Sequence, residues 1–219
     1  SIQENLKRIR EEIPDSVNLI AVSKTKPIED LQEAYKAGQR DFGENKAQEL
    51  QSKAPEMPDD VKWHMIGHMQ RNKVKYIAPF VHLIHAVDSW KLAKEINKQA
   101  EKNNRTIDCL FQFHIANEET KFGFTLSEFL EAQNENDFNS LPNINFIGVM
   151  GMATFTDNHD QIRSEFKELK TIYDKLKTEH NFNKFSEISM GMSQDYSIAI
   201  EEGSTMIRVG SSIFGARNY

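Results

Sequence analysis

Two kinds of segment alternate along the whole chain, and this alternation limits the folds open to it. Short runs rich in β-branched and aromatic residues are each followed by a stretch with helical periodicity. Candidate strands lie at 17–23, 40–43, 62–66, 81–86, 107–115, 144–150, 185–189 and 206–209. Helix-like segments lie between them at 28–37, 45–53, 70–78, 89–103, 126–136, 158–180 and 194–202. In 158–180, Ile162, Phe166, Leu169, Tyr173 and Leu176 recur every three to four residues, with charged residues on the other face. Asp88 or Ser89 can cap the helix carrying Leu92, Ala93 and Ile96. The runs VNLIAV and INFIGVM are apolar at most positions, as suits strands covered on both faces. Eight strands alternating with helices predict an α/β fold, a closed (β/α)8 TIM barrel. An open doubly wound sheet usually carries a glycine-rich phosphate loop after its first strand, where this chain reads SKTKP. With no repeat, low-complexity tract or linker, residues 1–219 are expected to form a single domain.

Composition narrows the function classes. A chain of 219 residues can bury a substantial core, and none of its apolar runs approaches a membrane span. The N-terminal SIQENLKRIREEI places Ile2, Leu6, Ile9 and Ile13 at helical spacing, which is an amphipathic helix and not a secretory signal. The lone cysteine, Cys109, sits inside a candidate strand, where a buried inert thiol is the usual case. It excludes an internal disulfide framework, so a cytoplasmic location is expected. A net charge of -6 argues against nucleic acid as a partner. The sequon at 104–106 carries no weight.

In a barrel of this kind the chemistry sits where the C-terminal ends of the strands meet eight loops. Lys24 closes the first strand, Glu44 and Asn45 follow the second, and Gly67 and His68 follow the third. The loops after strands seven and eight are small-residue turns, GMS at 191–193 and GSS at 210–212. Glycine lets a backbone approach closely, and free N–H groups can point at an anion, so Ser193, Gly210 and Ser211 are candidate phosphate binders. Each turn alone is equally well explained as a turn or helix cap. Lys24 stands in an apolar context, AVSK, where desolvation disfavours the ammonium and exposes an amine able to attack an aldehyde. A surface loop lysine is the plainer alternative. Arg208, on the last strand, needs an acceptor if buried, and an acidic neighbour would serve. His64 and His68 are four residues apart, but His64 falls on a candidate strand and no partner ligand is evident, so no metal site is expected.

Several motifs together resemble the pyridoxal phosphate homeostasis protein family of stand-alone barrels. They are AVSKTKP at 21–27, FGENKAQE at 42–49, WHMIGHMQRNKVKYI at 63–77, GVMGMAT at 148–154, SMGMSQDY at 189–196 and RVGSSIFGAR at 208–217. They run in order over nearly the whole chain. The barrel domain at the N-terminus of alanine racemases is a more distant likeness. The resemblance implies that pyridoxal 5'-phosphate (PLP) is the cofactor, held as a Schiff base on Lys24. It implies that Ser193, Gly210 and Ser211 hold the phosphate, that Asn45 lines the pocket, that Met190 packs near the cofactor and that Arg208 faces the pyridine nitrogen. The chain departs from the family pattern at His114, at Phe122 and, with its hydroxyl kept, at Ser211. Lys26 and Lys121 become rim lysines with an ordinary solvated role.

Three functions are then open. The first is a non-catalytic module that stores, buffers or delivers PLP as a monomer, with PLP-dependent apoenzymes as candidate recipients. The second is a PLP-dependent amino-acid racemase. Barrel racemases use a second base from a C-terminal β-domain, which is expected to be missing in a sequence ending at Tyr219. The third is a Schiff-base aldolase, for which Glu44 is the sole acid or base beside Lys24. The first is favoured.

Overall fold

Each of the eight apolar runs forms a short parallel strand. They are β1 (Asn18–Val22), β2 (Asp41–Glu44), β3 (Lys62–Met65), β4 (Leu83–Val87), β5 (Ile107–Gln112), β6 (Ile144–Met150), β7 (Glu187–Ser189) and β8 (Met206–Val209). They pair in chain order and β8 returns to β1, which closes the expected barrel. The computed structural model describes residues 1–119 and 122–216. Helices α1 (Ile2–Glu12), α2 (Ile28–Lys36), α3 (Ala47–Lys53), α4 (Val74–Ile77) and α5 (Trp90–Lys102) surround the first half. The second half carries α6 (Leu126–Asn136), α7 (His159–Glu179), α8 (Tyr196–Glu201) and α9 (Ser211–Phe214). No helix among the described residues is long and apolar enough to cross a membrane.

Two layers of core follow from the alternation of side chains along each strand. The outer layer, between strands and helices, includes Leu31, Phe42, Leu50, Trp63 and Ile96, all nearly or fully buried. Its densest part is aromatic. The Phe111 ring stacks on Phe146 at 4.1 Å and meets Phe129 and Phe138 edge-on at 4.7 and 4.9 Å. The inner layer fills the barrel with Ile20, Leu83, Leu110, Met150 and Met206.

Register places the reactive end. Ala21 lies opposite Phe42 on one side and Val209 on the other, so the chain just beyond β1, β2 and β8 emerges together. Several boundaries differ from those predicted. Helix α3 begins at Ala47 and not at 45, because Lys46 is extended at φ -120, and this leaves Asn45 in the loop after β2. The segment 70–78 is a 3-10 turn followed by the single turn α4, and Pro79, which has no N–H, follows it. Strand β5 stops at Gln112, where Phe113 turns to bridge Phe124 and the His114 N–H donates to the Phe124 carbonyl at 2.8 Å.

Of the two candidate caps for α5, Ser89 does the work, its Oγ accepting the Leu92 N–H at 3.0 Å. Asp88 instead meets His68 at 3.2 Å. Ser89→Ala is therefore expected to cost about 1 kcal/mol in urea unfolding, the usual loss for a cap, whereas Asp88→Ala leaves α5 capped.

Candidate functional site

The chain leaves β1 under close control. The Ser23 N–H bonds the Gly43 carbonyl at 3.0 Å, and the Lys26 N–H bonds the Ser23 carbonyl at 3.1 Å, so Lys24 and Thr25 form a tight turn. Thr25 is held at a left-handed φ of 66, with its N–H donating to Glu49 Oε2 at 2.7 Å. Lys24 is half-buried at this turn. Lys26 points along the rim, its Nζ donating to the Ala216 carbonyl at 3.0 Å.

Beneath the turn lies a buried charged cluster that the sequence did not reveal. Lys53, from α3, donates to the Ser23 carbonyl at 2.7 Å, to Glu44 Oε2 at 3.0 Å and to Glu49 Oε2 at 2.6 Å. Ser23 Oγ also donates to Glu44 Oε2. Burial pushes the Glu44 carboxyl up to about 7, although Lys53 and Ser23 favour its ionised form. Its other oxygen, Oε1, finds no hydrogen-bond partner among the described residues.

Neighbouring loops press against this turn. A Cβ on Gly67 would come within 2.4 Å of the Asn45 carbonyl oxygen, so only glycine lets the β3 loop pack on the Asn45 backbone. In the β7 loop, Gly191 has φ +105 and a Cβ there would lie 2.8 Å from that of Ala199. The same loop is tied down by the Met192 N–H, which donates to Asp195 Oδ1 at 2.7 Å. The β7 and β8 loops touch where the Ser212 N–H meets Ser193 Oγ at 3.5 Å. Gly210 packs beside Val22, whose carbonyl oxygen would be 3.3 Å from an added Cβ. Together these contacts bring Lys24, Asn45, Ser193, Gly210 and Ser211 to one end of the barrel.

Below the mouth, Arg208 is 3% exposed. Its Nη1 donates to Ser189 Oγ at 2.5 Å and its Nη2 to the Gly151 carbonyl at 3.2 Å. Burial lowers its pKa to about 10, with Asp195 working in the opposite direction, so it stays charged at neutral pH. The anticipated acidic partner is replaced by two neutral oxygens.

The sequence of the whole chain matches the family described as alanine racemase, N-terminal domain, over residues 1–218. A pyridoxal phosphate homeostasis protein of Aquifex aeolicus is 40% identical over 205 residues, which cover 92% of this chain and 87% of that relative. The chain belongs to the pyridoxal phosphate homeostasis protein family. The human pyridoxal phosphate homeostasis protein is 38% identical over 214 residues, covering 92% of this chain and 77% of its own. PipY of Synechococcus elongatus, solved with PLP bound, is 34% identical and has a TM-score of 0.89 over 98% of this chain and 100% of that one. An alanine racemase of Streptomyces lavendulae, at 14% identity and a TM-score of 0.78, covers 100% of this chain and 57% of its own and shares the fold.

Within this member of the pyridoxal phosphate homeostasis protein family, the residues singled out in the sequence fare unequally. Met190, directly after β7, is fully buried in the outer core layer. His114 is half-buried in the bend after β5, and Lys121 lies outside the described residues. Phe122 is 52% exposed and stacks on His68 at 3.8 Å. Donor atoms of Asp41, His64 and His82 lie within 4.8 Å of one another, at the end of the barrel away from Lys24, and histidine spacing alone gives no sign of Asp41. Asp41 and His64 are already joined there by a hydrogen bond of 2.8 Å. A surface hollow of about 950 Å³ bordered by Leu130, Gln133, Asp137 and His180 lies on the outer wall, away from the strand ends.

Proposed function

We propose that this chain binds PLP as a Schiff base on Lys24 and serves cytoplasmic PLP homeostasis by storing, buffering or delivering the cofactor. In this reading residues 1–219 are one PLP-binding domain, a monomer, with PLP-dependent apoenzymes as recipients and no strong catalysis of its own. One observation carries it: the turn holding Lys24 shares one end of the barrel with the joined Ser193 and Gly210 loops, and a buried guanidinium lies on the neighbouring strand β8. The residues suit such a group. The glycine-backed loops leave backbone and hydroxyl donors where a phosphate needs them. Arg208 presents a donor-only group to the space where a heteroaromatic ring would sit.

Bound PLP supplies an electron sink through its ring, strongest when the ring nitrogen is protonated. Arg208 works against that protonation, because a guanidinium only donates and stays charged. Ser193, Gly210 and Ser211 bind and orient the phosphate, and Asn45 borders the pocket. Binding is thereby favoured over carbanion chemistry.

The test is chemical mapping. Wild-type protein is mixed with PLP, reduced with borohydride and digested, and the fixed pyridoxyl mass is located by mass spectrometry. It is expected on the peptide containing Lys24. A label confined to Lys26, Lys53 or Lys121 would move the site, and no label would overturn the reading.

A further inference from the structure

The barrel interior holds a line of polar side chains that crosses from one end towards the other. Arg208 Nη1 donates to Ser189 Oγ at 2.5 Å. Ser189 Oγ lies 2.9 Å from His85 Nδ1, and His85 Nε2 lies 2.9 Å from His64 Nδ1. His64 Nε2 reaches Asp41 Oδ1 at 2.8 Å. The line passes through β8, β7, β4, β3 and β2. Ser189, His64 and His85 are all 0% exposed, so water does not substitute for these contacts.

Its two ends fix its direction. Arginine can only donate, so Ser189 Oγ is an acceptor there and its own hydrogen is free for His85 Nδ1. An ionised carboxylate can only accept, so His64 Nε2 carries the hydrogen at the other end. Burial keeps His85 neutral, so with its Nδ1 accepting from Ser189 its Nε2 is the donor and His64 Nδ1 the acceptor, and the two halves agree. Every donor then points from Arg208 towards Asp41. Reversing the link between the two imidazoles, each carrying one ring hydrogen, sets the His64 Nε2 lone pair against the Asp41 carboxylate, which is costly. Such a line strengthens cooperatively, and a change at one end is felt at the other.

We propose that Asp41, His64, His85 and Ser189 are positioning residues: a one-way hydrogen-bond chain that locks the Arg208 guanidinium in a fixed orientation beneath the mouth of the barrel. The consequence for the cofactor rests on the reading of Arg208 above; the chain itself does not. Asp41, at the far end of the barrel, thereby becomes a remote determinant of cofactor binding.

Nuclear magnetic resonance on the cofactor-free protein tests the chain directly. Long-range proton–nitrogen correlations are expected to show His64 and His85 both as the Nε2–H form, and the Arg208 Nη hydrogens as resolved, slowly rotating signals. Asp41→Leu and Ser189→Ala are expected to average those Arg208 signals while melting cooperatively. Asp41→Asn, which keeps an acceptor for His64, is expected to restore them. With PLP added, Asp41→Leu is expected to weaken binding about tenfold and to shift the absorbance band, which a merely structural residue far from the mouth would leave in place. His85 in the Nδ1–H form, or Arg208 signals unchanged in Asp41→Leu, would overturn the proposal. Wild-type protein that takes up no PLP would defeat the cofactor reading while the cofactor-free spectra still decide the chain.

Discussion

Lys24→Ala protein is expected to take up PLP without the imine band at ~420 nm, and borohydride is expected to leave its spectrum unchanged. The covalent link depends on an amine beside the phosphate loops, and the other described lysines nearby are placed for other contacts. Lys26 donates along the rim to the Ala216 carbonyl, and Lys53 is buried and donates to three oxygen acceptors. Ser193, the Gly210 loop and Arg208 are all kept in the variant, so weakened non-covalent binding should persist. Affinity is expected to drop by about 100-fold, the factor that separates micromolar from tenth-millimolar binding. A small primary amine added with PLP should then restore a band by supplying the missing nitrogen, whereas it should not restore one to a protein whose fold is lost. Equal bands in wild type and Lys24→Ala would transfer the imine to another lysine. A racemisation rate that vanished in Lys24→Ala and survived repurification would count for the racemase alternative.

Much of the fold was legible because it depends on local pattern. Period-two and period-3.6 segments identify elements wherever one face is buried, and an unbroken alternation of eight of each leaves few closed arrangements. The rim residues were legible for a related reason: in a parallel barrel every strand's C-terminal end points the same way, so Lys24, Asn45 and Gly210 had to converge. What escaped was set by contacts between strands far apart in sequence. Lys53 reads as a solvent-facing lysine of an amphipathic helix, yet the fold turns it onto Ser23 and Glu44. The spacing of His64 and His68 was visible in the sequence, whereas the pairing of His64 with His85 depends on β3 and β4 lying side by side. Met190, which the resemblance places near the cofactor, lies buried in the outer core layer, while its neighbour Ser189 reaches His85 inside the barrel.

The buried Glu44 carboxyl should make stability fall as pH rises. Its ordinary value is 4.5 and burial lifts it to about 7, so between these pH values the folded protein binds a proton that the unfolded chain has released. Stability therefore decreases with pH across that window, and the full contribution, present below pH 4.5, is lost above about 7. A gap of that size corresponds to about 3 kcal/mol. Urea midpoints measured from pH 4.5 to 8 should accordingly slope downward more steeply for wild type than for Glu44→Gln, whose amide cannot ionise. Lys53→Met gives the larger effect. It strips the cation that favours the Glu44 carboxylate, so the downward slope should extend past pH 7. It also strands the Ser23 carbonyl, and losing one partner of a buried pair costs about 3–5 kcal/mol. Pairing it with Glu44→Leu should recover most of that loss, because the uncompensated carboxyl goes with the cation. If the double variant is as unstable as Lys53→Met alone, Lys53 acts through its bonds to Ser23 and Glu49 and not through Glu44. If Glu44→Gln keeps the wild-type slope, the carboxyl is ionised in the folded protein across the whole range, and Lys53 outweighs burial beneath Lys24.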